Sequence, residues 1–240
     1  MQILIKHNTD GHLELPLSYH YVIQSIIYNN LREAYGYSDY LHDHGALYRQ
    51  RAFKLFTFSL LRGRYRIEGK KIIFYDTVEL EISSPDTFII RMLADSFMKN
   101  GIRYGEKEYK DVTLYLSDST IEEEEINIRL LSPVCVYSTD ECTRKTNYYE
   151  PFDKEFSQMI NENFYRKYIA CYGVEPMGNI DIEPIEVTAK DKYVTKYKGI
   201  YINGWLGTYR LKGQRKYLDF LYQTGIGSKN SQGFGMFEPF

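Results

Sequence analysis

Cysteine is scarce in this chain, histidine stops early, and no apolar stretch is long. The three cysteines, Cys135, Cys142 and Cys171, are odd in number and show no C-x-x-C spacing. That excludes a disulfide framework and a cysteine-rich zinc site, and points to reduced thiols in a cytoplasmic protein. No apolar run approaches the ~18 residues of a membrane-crossing helix. The start, Met1-Gln2-Ile3-Leu4-Ile5-Lys6-His7, turns polar too soon for a signal peptide. No membrane partner is expected. The chain also lacks excess positive charge: 30 basic and 32 acidic residues leave a net charge of −2 over 240 residues. A uniformly basic nucleic-acid binder is excluded; a locally basic one is not.

What is present is concentrated near the end. Gly225-Ile226-Gly227-Ser228-Lys229-Asn230-Ser231-Gln232-Gly233-Phe234-Gly235 holds four glycines in eleven residues. Glycine permits positive φ and close approach of a bulky ligand to the backbone. Successive N–H groups in such a loop can form an anion-binding concavity, and Lys229 adds a positive charge. The loop is not a Walker A motif, because no Gly-Lys-Ser/Thr follows a four-residue spacer. Nor is it a dinucleotide fingerprint, because it leaves a helix for a strand. A plain helix-to-strand turn is the alternative, but it needs only one glycine at the helix end.

Charge is unevenly spread. Residues 111–150 carry three basic and nine acidic side chains, including Glu122-Glu123-Glu124-Glu125, which reads as a solvated turn or edge. Two windows are strongly basic, Arg49 to Lys71 and Lys190 to Lys216, each with eight Lys/Arg against one acid. They read as an electrostatic track for a polyanion, with protected sheet edges as the alternative.

Hydrophobic periodicity predicts a strand at Gln2 to His7, then a helix from about Pro16 to Tyr35 with Ile23, Ile26, Ile27 and Leu31 buried. Tyr21, Gln24, Tyr28, Arg32 and Tyr35 share a neighbouring face, either plain surface or the wall of a site. A short helical turn is expected at Ser38 to His44 and a strand at Lys54 to Leu60. A hairpin should turn near Glu68-Gly69-Lys70, followed by a strand at Thr77 to Ile82. A helix from Pro85-Asp86, with Phe88, Ile89, Met92, Leu93 and Phe97 on one stripe, should stop at Gly101 before a strand at Lys110 to Leu116. This is the β-α-β-β-α-β order of ferredoxin-like domains. The order repeats. Strand-like Ile126 to Tyr137 leads to a helix at Pro151 to Tyr172, with Phe152, Phe156, Met159, Ile160 and Phe164 buried. Strands at Ile180 to Val187 and Tyr193 to Leu211 follow, then a helix at Gln214 to Thr224 and a last strand at Phe234 to Phe237. The expectation is an α+β chain of two tandem ferredoxin-like domains, 1–118 and 119–240, joined near Asp118-Ser119-Thr120. One mixed α+β domain is the competing layout.

All five histidines, His7, His12, His20, His42 and His44, fall in the first 44 residues. His42-Asp43-His44 can be read as part of a metal site, though no third ligand clusters nearby, as exposed loop histidines, or as acid–base groups. A histidine, a tyrosine face, clustered cations and a phosphate-gripping loop fit metal-independent RNA cleavage. RNA carries its own nucleophile, the 2′-hydroxyl. The protein need only move two protons and neutralise phosphate charge, while aromatic side chains hold bases apart.

The chain resembles the sixth Cas family of CRISPR-associated endoribonucleases, which cut precursor repeat RNA. The glycine loop through Met236 is similar to that family's signature loop. Leu15-Pro16-Leu17, Ile27-Tyr28-Asn29, Tyr40-Leu41-His42, Lys54-Leu55-Phe56-Thr57-Phe58-Ser59 and Leu131-Ser132-Pro133-Val134 are softer matches. The resemblance implies a double ferredoxin-like fold and a metal-free cut within each repeat, leaving 2′,3′-cyclic phosphate and 5′-hydroxyl ends. It implies Tyr28, His42 and Lys54 as the catalytic set in the N-terminal domain: His42 as acid or base, Tyr28 positioning the 2′-hydroxyl or taking part in proton transfer, Lys54 stabilising phosphate charge. The segment from His42 to Lys54 is longer than the family pattern, so His44 stands as an alternate to His42, and Arg51 or Arg49 to Lys54. RNA binding is expected from Gly225, Gly227, Ser228, Lys229, Asn230, Ser231, Gly233 and Gly235, and from Lys190, Lys192, Lys196 and Lys198. No cofactor or metal is implied. The partner is CRISPR repeat RNA, with other Cas proteins of an effector complex and a second copy of the chain left open. Two competing functions remain: a non-catalytic repeat-RNA-binding subunit on the same fold, and an unrelated enzyme with a phosphate ligand.

Overall fold

The structure, a computed structural model, describes residues 1–35 and 46–240. His42, His44, the turn expected at Ser38 to His44 and the Tyr40-Leu41-His42 match lie outside the described residues.

The first half contains β1 (Gln2–Pro16), α1 (His20–Tyr35), β2 (Ala46–Tyr48), β3 (Arg51–Phe53), β4 (Thr57–Phe58), β5 (Arg62–Glu68), β6 (Lys71–Ser83), α2 (Thr87–Asn100), β7 (Ile102–Tyr104), β8 (Lys107–Tyr109) and β9 (Val112–Ser117). Its sheet runs β4-β6-β1-β9, with β5 also paired to β6. Period-two alternation puts Ile3 and Ile5 of β1 opposite Ile82 and Leu80 of β6 and Leu116 and Leu114 of β9. The buried face of this sheet packs on Ile23, Ile27 and Leu31 of α1 and on Ile90, Leu93 and Phe97 of α2. The Asp86 side chain accepts the Phe88 N–H at 3.0 Å and starts α2; Gly101 ends it.

The second half contains β10 (Glu125–Leu130), β11 (Tyr137–Thr139), β12 (Thr146–Tyr148), α3 (Lys154–Tyr172), β13 (Asp181–Glu186), β14 (Lys192–Tyr197), β15 (Ile200–Trp205), β16 (Thr208–Lys212), α4 (Arg215–Thr224) and β17 (Phe237–Pro239). Its sheet, β13-β16-β10-β17, repeats the first in arrangement, and a second core of Ile128, Phe156, Ile160, Phe164, Tyr209, Leu218 and Leu221 lies beneath α3 and α4. These are tandem ferredoxin-like domains. The β14–β15 hairpin is inserted before β16.

Several expected boundaries move. The first strand does not stop at His7: it continues to Pro16 through an irregularity at Asn8 to His12, where Asp10 and Gly11 take positive φ. Asn8 Oδ1 accepts the Asp10 N–H at 3.1 Å, so a turn-like sequence makes a bulge inside a strand. Pro16 therefore closes β1 and does not open α1. Thr77 to Ile82 is not a separate strand but the end of β6. The strand expected at Lys54 to Leu60 shrinks to Thr57–Phe58 because Leu55 adopts φ 47°. The long strand expected at Tyr193 to Leu211 is divided into β14, β15 and β16, and the last strand starts at Phe237. Phe152 is exposed, because it lies in the turn ahead of α3; Phe88, in the first turn of α2, is exposed as well.

Candidate nucleic-acid interface

The glycine loop is held by its own backbone. Ile226 N–H donates to Gly235 O (2.8 Å), Gln232 to Lys229 O (2.8 Å), Gly233 to Asn230 O (2.9 Å), Ser228 to Cys135 O (2.8 Å) and Gly235 to Pro133 O (2.9 Å). Asn230 Nδ2 donates to Ile226 O and Phe234 O at 3.0 and 2.9 Å, clamping the two limbs together. Gly225, Gly227, Gly233 and Gly235 are all buried. At Gly235 a Cβ would overlap the Ile226 carbonyl oxygen, and at Gly233 it would run into the Phe58 ring; both residues also sit at positive φ. These glycines serve close packing, and the loop presents to solvent its tip, Lys229 to Gln232. Lys229 itself takes a left-handed conformation.

That tip forms one wall of a cleft of about 170 Å³. The opposite wall is Arg51 to Phe56 from the first half. Tyr137, Asn163, Lys167 and Thr224 complete the lining. The left-handed turn at Leu55 explains how the first half reaches the cleft: the Leu55 side chain packs against the second core while its neighbours Lys54 and Phe56 line the cleft. Ser84 Oγ donates to Leu55 O at 2.9 Å and holds the turn. A non-glycine residue in that conformation costs on the order of 1–3 kcal/mol, a strain found most often at functional sites.

Four cations, Arg51, Lys54, Lys167 and Lys229, share this cleft, and no acidic side chain is among its described lining residues. Lys229 Nζ sits 4.7 Å over the Tyr137 ring. Lys167 is 2% exposed and donates to Gly225 O at 2.5 Å and Asn230 Oδ1 at 3.1 Å. Burial, with the nearby Arg51 charge second, pulls its pKa down to about 7. Burial lowers the Arg51 value too. Like charges gathered where no acid is among the described lining residues suit an anion.

Beside the cleft, α1 presents the polar-aromatic face expected from its spacing. Tyr28 packs edge-on against Phe56 at 5.9 Å, so its ring stands directly behind a cleft-lining ring. Burial, with Tyr197 second, pushes the Tyr28 hydroxyl up to about 12, so it is a neutral donor at pH 7. Gln24 Nε2 donates to Ser231 O at 2.6 Å, and Tyr197 donates to Gln24 Oε1. His20, 1% exposed, bonds Gln232 O at 2.9 Å and the Tyr193 hydroxyl at 3.0 Å and stacks on Phe234. This helix therefore ties the loop tip to the β14–β15 hairpin.

Of the residues singled out from sequence, the structure gathers Lys54, Arg51, Lys229, Asn230 and Ser231 in one cleft, with Tyr28 one ring away. Ser228 is buried behind it, accepting from Asn163 Nδ2 at 3.4 Å. Lys190, Lys192, Lys196 and Lys198 are exposed on and beside the β14–β15 hairpin, away from the cleft lining. Lys192 pairs with Glu150 at 2.9 Å, while Lys196 and Lys198 lie over Tyr201 and Tyr21. Several other cations of the two basic windows are ion-paired. Arg62, Arg64, Arg66 and Lys71 are paired with carboxylates along β5, β6 and β1, and Arg210 and Lys212 with Glu125. Sequence reasoning missed Lys167, Asn163, Tyr137 and His20. A lysine within an amphipathic helix carries no signal that it is buried; only the i, i+4, i+8 spacing of His20, Gln24 and Tyr28 offered a hint. Among the described residues no group of three or more His, Cys, Asp and Glu is placed to share a metal ion, and no helix is long and apolar enough to cross a membrane.

Comparison with known proteins agrees with this architecture. The family model described as CRISPR associated protein Cas6, C-terminal, matches residues 115–239, and that of CRISPR-associated protein Cas6, N-terminal, matches residues 14–124. The chain is 27% identical to a CRISPR-associated endoribonuclease Cas6 of Pyrococcus furiosus over 97% of its own length and 86% of the relative's. It is 28% identical to CRISPR-associated endoribonuclease Cas6 1 of Methanocaldococcus jannaschii, over 98% and 91%. A solved structure titled CRISPR associated protein Cas6 superposes with a TM-score of 0.79 at 26% identity, covering 100% of this chain and 99% of that one. With two tandem ferredoxin-like domains, a structured glycine loop and family models matching both halves, this chain belongs to the CRISPR-associated protein Cas6 family.

Proposed function

We propose that this protein is an endoribonuclease that cleaves CRISPR repeat RNA within the precursor transcript and releases guide RNAs. The observation that carries the reading is the cleft: Arg51, Lys54, Lys167 and Lys229 converge from both halves of the chain with no acidic residue among the described lining. Such a site favours a phosphodiester, and most of all the extra negative charge of its transition state. The names of the relatives support the same activity.

In this reading residues 1–118 carry the catalytic set and residues 119–240 the glycine loop. The ribose 2′-oxygen attacks the adjacent phosphorus while the bond to the 5′-oxygen breaks. One group takes the 2′-hydroxyl proton and another gives a proton to the leaving 5′-oxygen. The products are a 2′,3′-cyclic phosphate and a 5′-hydroxyl, with no metal required. His42 serves as acid or base, with His44 its alternate. Tyr28, neutral at pH 7, orients the 2′-hydroxyl as a hydrogen-bond donor. Lys54, with Arg51 as its alternate, neutralises the phosphate oxygens, and Lys229, Asn230 and Ser231 hold the strand. Lys196 and Lys198, over exposed tyrosines, extend the contact as a stacking and phosphate surface. The setting is the cytoplasm, which suits three unpaired cysteines.

The test is a repeat RNA with a single 2′-deoxy nucleotide at the cut. It is expected to bind as the unmodified RNA does and to remain intact, while unmodified RNA yields a cyclic-phosphate end. Cutting of the deoxy RNA would contradict the mechanism.

A further inference from the structure

Lys167 was not singled out by any motif, yet it sits at the floor of the cleft with Nζ directed at the glycine loop. Two neutral acceptors receive its donors, Gly225 O at the helix exit and Asn230 Oδ1 at the loop tip. Arg51 from β3 acts on its charge, and Lys54, Lys229 from the loop and Tyr137 from β11 share the cleft with it. Arg166 and Cys171 belong to its own helix, and the Phe220 ring of α4 lies 5.9 Å from Nζ. None of these is an anion at neutral pH. A neutral amine has two N–H groups, and the two acceptors satisfy both. The fourth tetrahedral direction is then a lone pair. An added proton there has no third hydrogen-bond acceptor within reach among the described residues and has the Arg51 charge to oppose it.

From this arrangement, and resting on the RNA reading of the cleft, we propose that Lys167 takes up a proton when a phosphodiester enters, coupling RNA binding to the setting of the glycine loop. An incoming negative charge beside Nζ favours the protonated amine. The protonated amine keeps its bonds to Gly225 O and Asn230 Oδ1, now as charge-assisted bonds, and so stiffens the loop tip as the strand is gripped. Lys167 is a positioning residue: it acts on the loop that holds the RNA. The lowered pKa of about 7 is consistent with a mainly neutral amine in the free protein just above neutrality. Binding raises that value. Affinity is therefore constant well below pH 7 and falls by about tenfold per pH unit above it, until the bound-state value is reached.

The experiment is calorimetric titration with a 2′-O-methyl oligonucleotide of the repeat sequence, which offers no 2′-hydroxyl for cleavage. It is done at pH 7.5 in two buffers of different ionisation enthalpy. Wild type is expected to take up about three-quarters of a proton per RNA from Lys167. Lys167→Met should bind more weakly and lose that uptake, whereas Lys54→Ala should bind more weakly and keep it. Binding by wild type without proton uptake, or the same uptake in Lys167→Met, overturns the proposal alone. Should Lys167→Met fail to fold, Lys167→Arg carries a permanent charge and must also lose the uptake; retention there overturns the proposal. No binding by wild type overturns the RNA reading and this proposal with it.

Discussion

His20 shows how one buried side chain can make a protein sensitive to acid. Its ring is 1% exposed, between Gln232 O and the Tyr193 hydroxyl, and burial pulls its pKa down to about 4, the bond to Gln232 opposing. The folded value lies below the unfolded value near 6.5, so the unfolded chain binds the proton first. Stability from this group is present above pH 6.5 and is lost as pH falls through the interval to about 4. The loss is on the order of 3 kcal/mol. His20→Gln removes the titration. The difference in urea unfolding free energy between pH 7 and pH 4.5 is expected to be smaller in this variant than in wild type, by about 2 kcal/mol. An equal difference would show that His20 is not the acid-sensitive group. His7, also buried with a lowered value, remains as background in both proteins.

The glycine loop is the element whose sequence signal and physical role differ most. Its composition suggested N–H groups aimed at an anion, yet those of Ile226, Ser228, Gln232, Gly233 and Gly235 are bonded within the fold. The loop's rigidity is its contribution, and in the proposed reading its tip side chains make the contact. Gly235→Ala combines a positive φ with overlap on Ile226 O, and is expected to lower unfolding free energy by at least about 2 kcal/mol and to abolish RNA binding. Gly199→Ala has positive φ but nothing within 4 Å of the added Cβ, and should cost only about 1 kcal/mol with binding intact. Equal effects of the two would mean that packing does not define the loop. Other elements were legible to different degrees, for physical reasons. The stripes of α1 and α2, with Asp86 and Gly101 bounding α2, announced those helices because capping and burial are local. The continuation of β1 past Gly11 was hidden because a bulge and a turn use the same residues. The bend at Leu55 was hidden because it depends on a core supplied by the other half of the chain. Lys167 was invisible because its burial is set by α4 and the glycine loop, which lie far from it in sequence.

At the scale of the molecule, the cleft exists because two similar domains are held together. Leu60 N–H donates to Leu131 O at 2.9 Å, Thr57 Oγ1 to Phe234 O at 3.1 Å and the Tyr222 hydroxyl to Gln2 Oε1 at 3.2 Å, while His20 and Gln24 bind the loop tip from α1. Lys54 and Lys229 approach the same space from opposite halves, so neither domain alone assembles the site. The repeat of element order was readable from sequence; the seam was not, because its contacts join residues up to 220 positions apart. The most direct test of the account is a gel assay of purified protein with end-labelled repeat RNA in EDTA, beside His42→Ala, His44→Ala and Lys54→Ala. The account predicts cutting by wild type in EDTA, loss of cutting with His42→Ala or, if its alternate serves, His44→Ala, and a large rate loss with Lys54→Ala. Cutting that requires a divalent ion, or RNA bound and left intact by wild type, would contradict it.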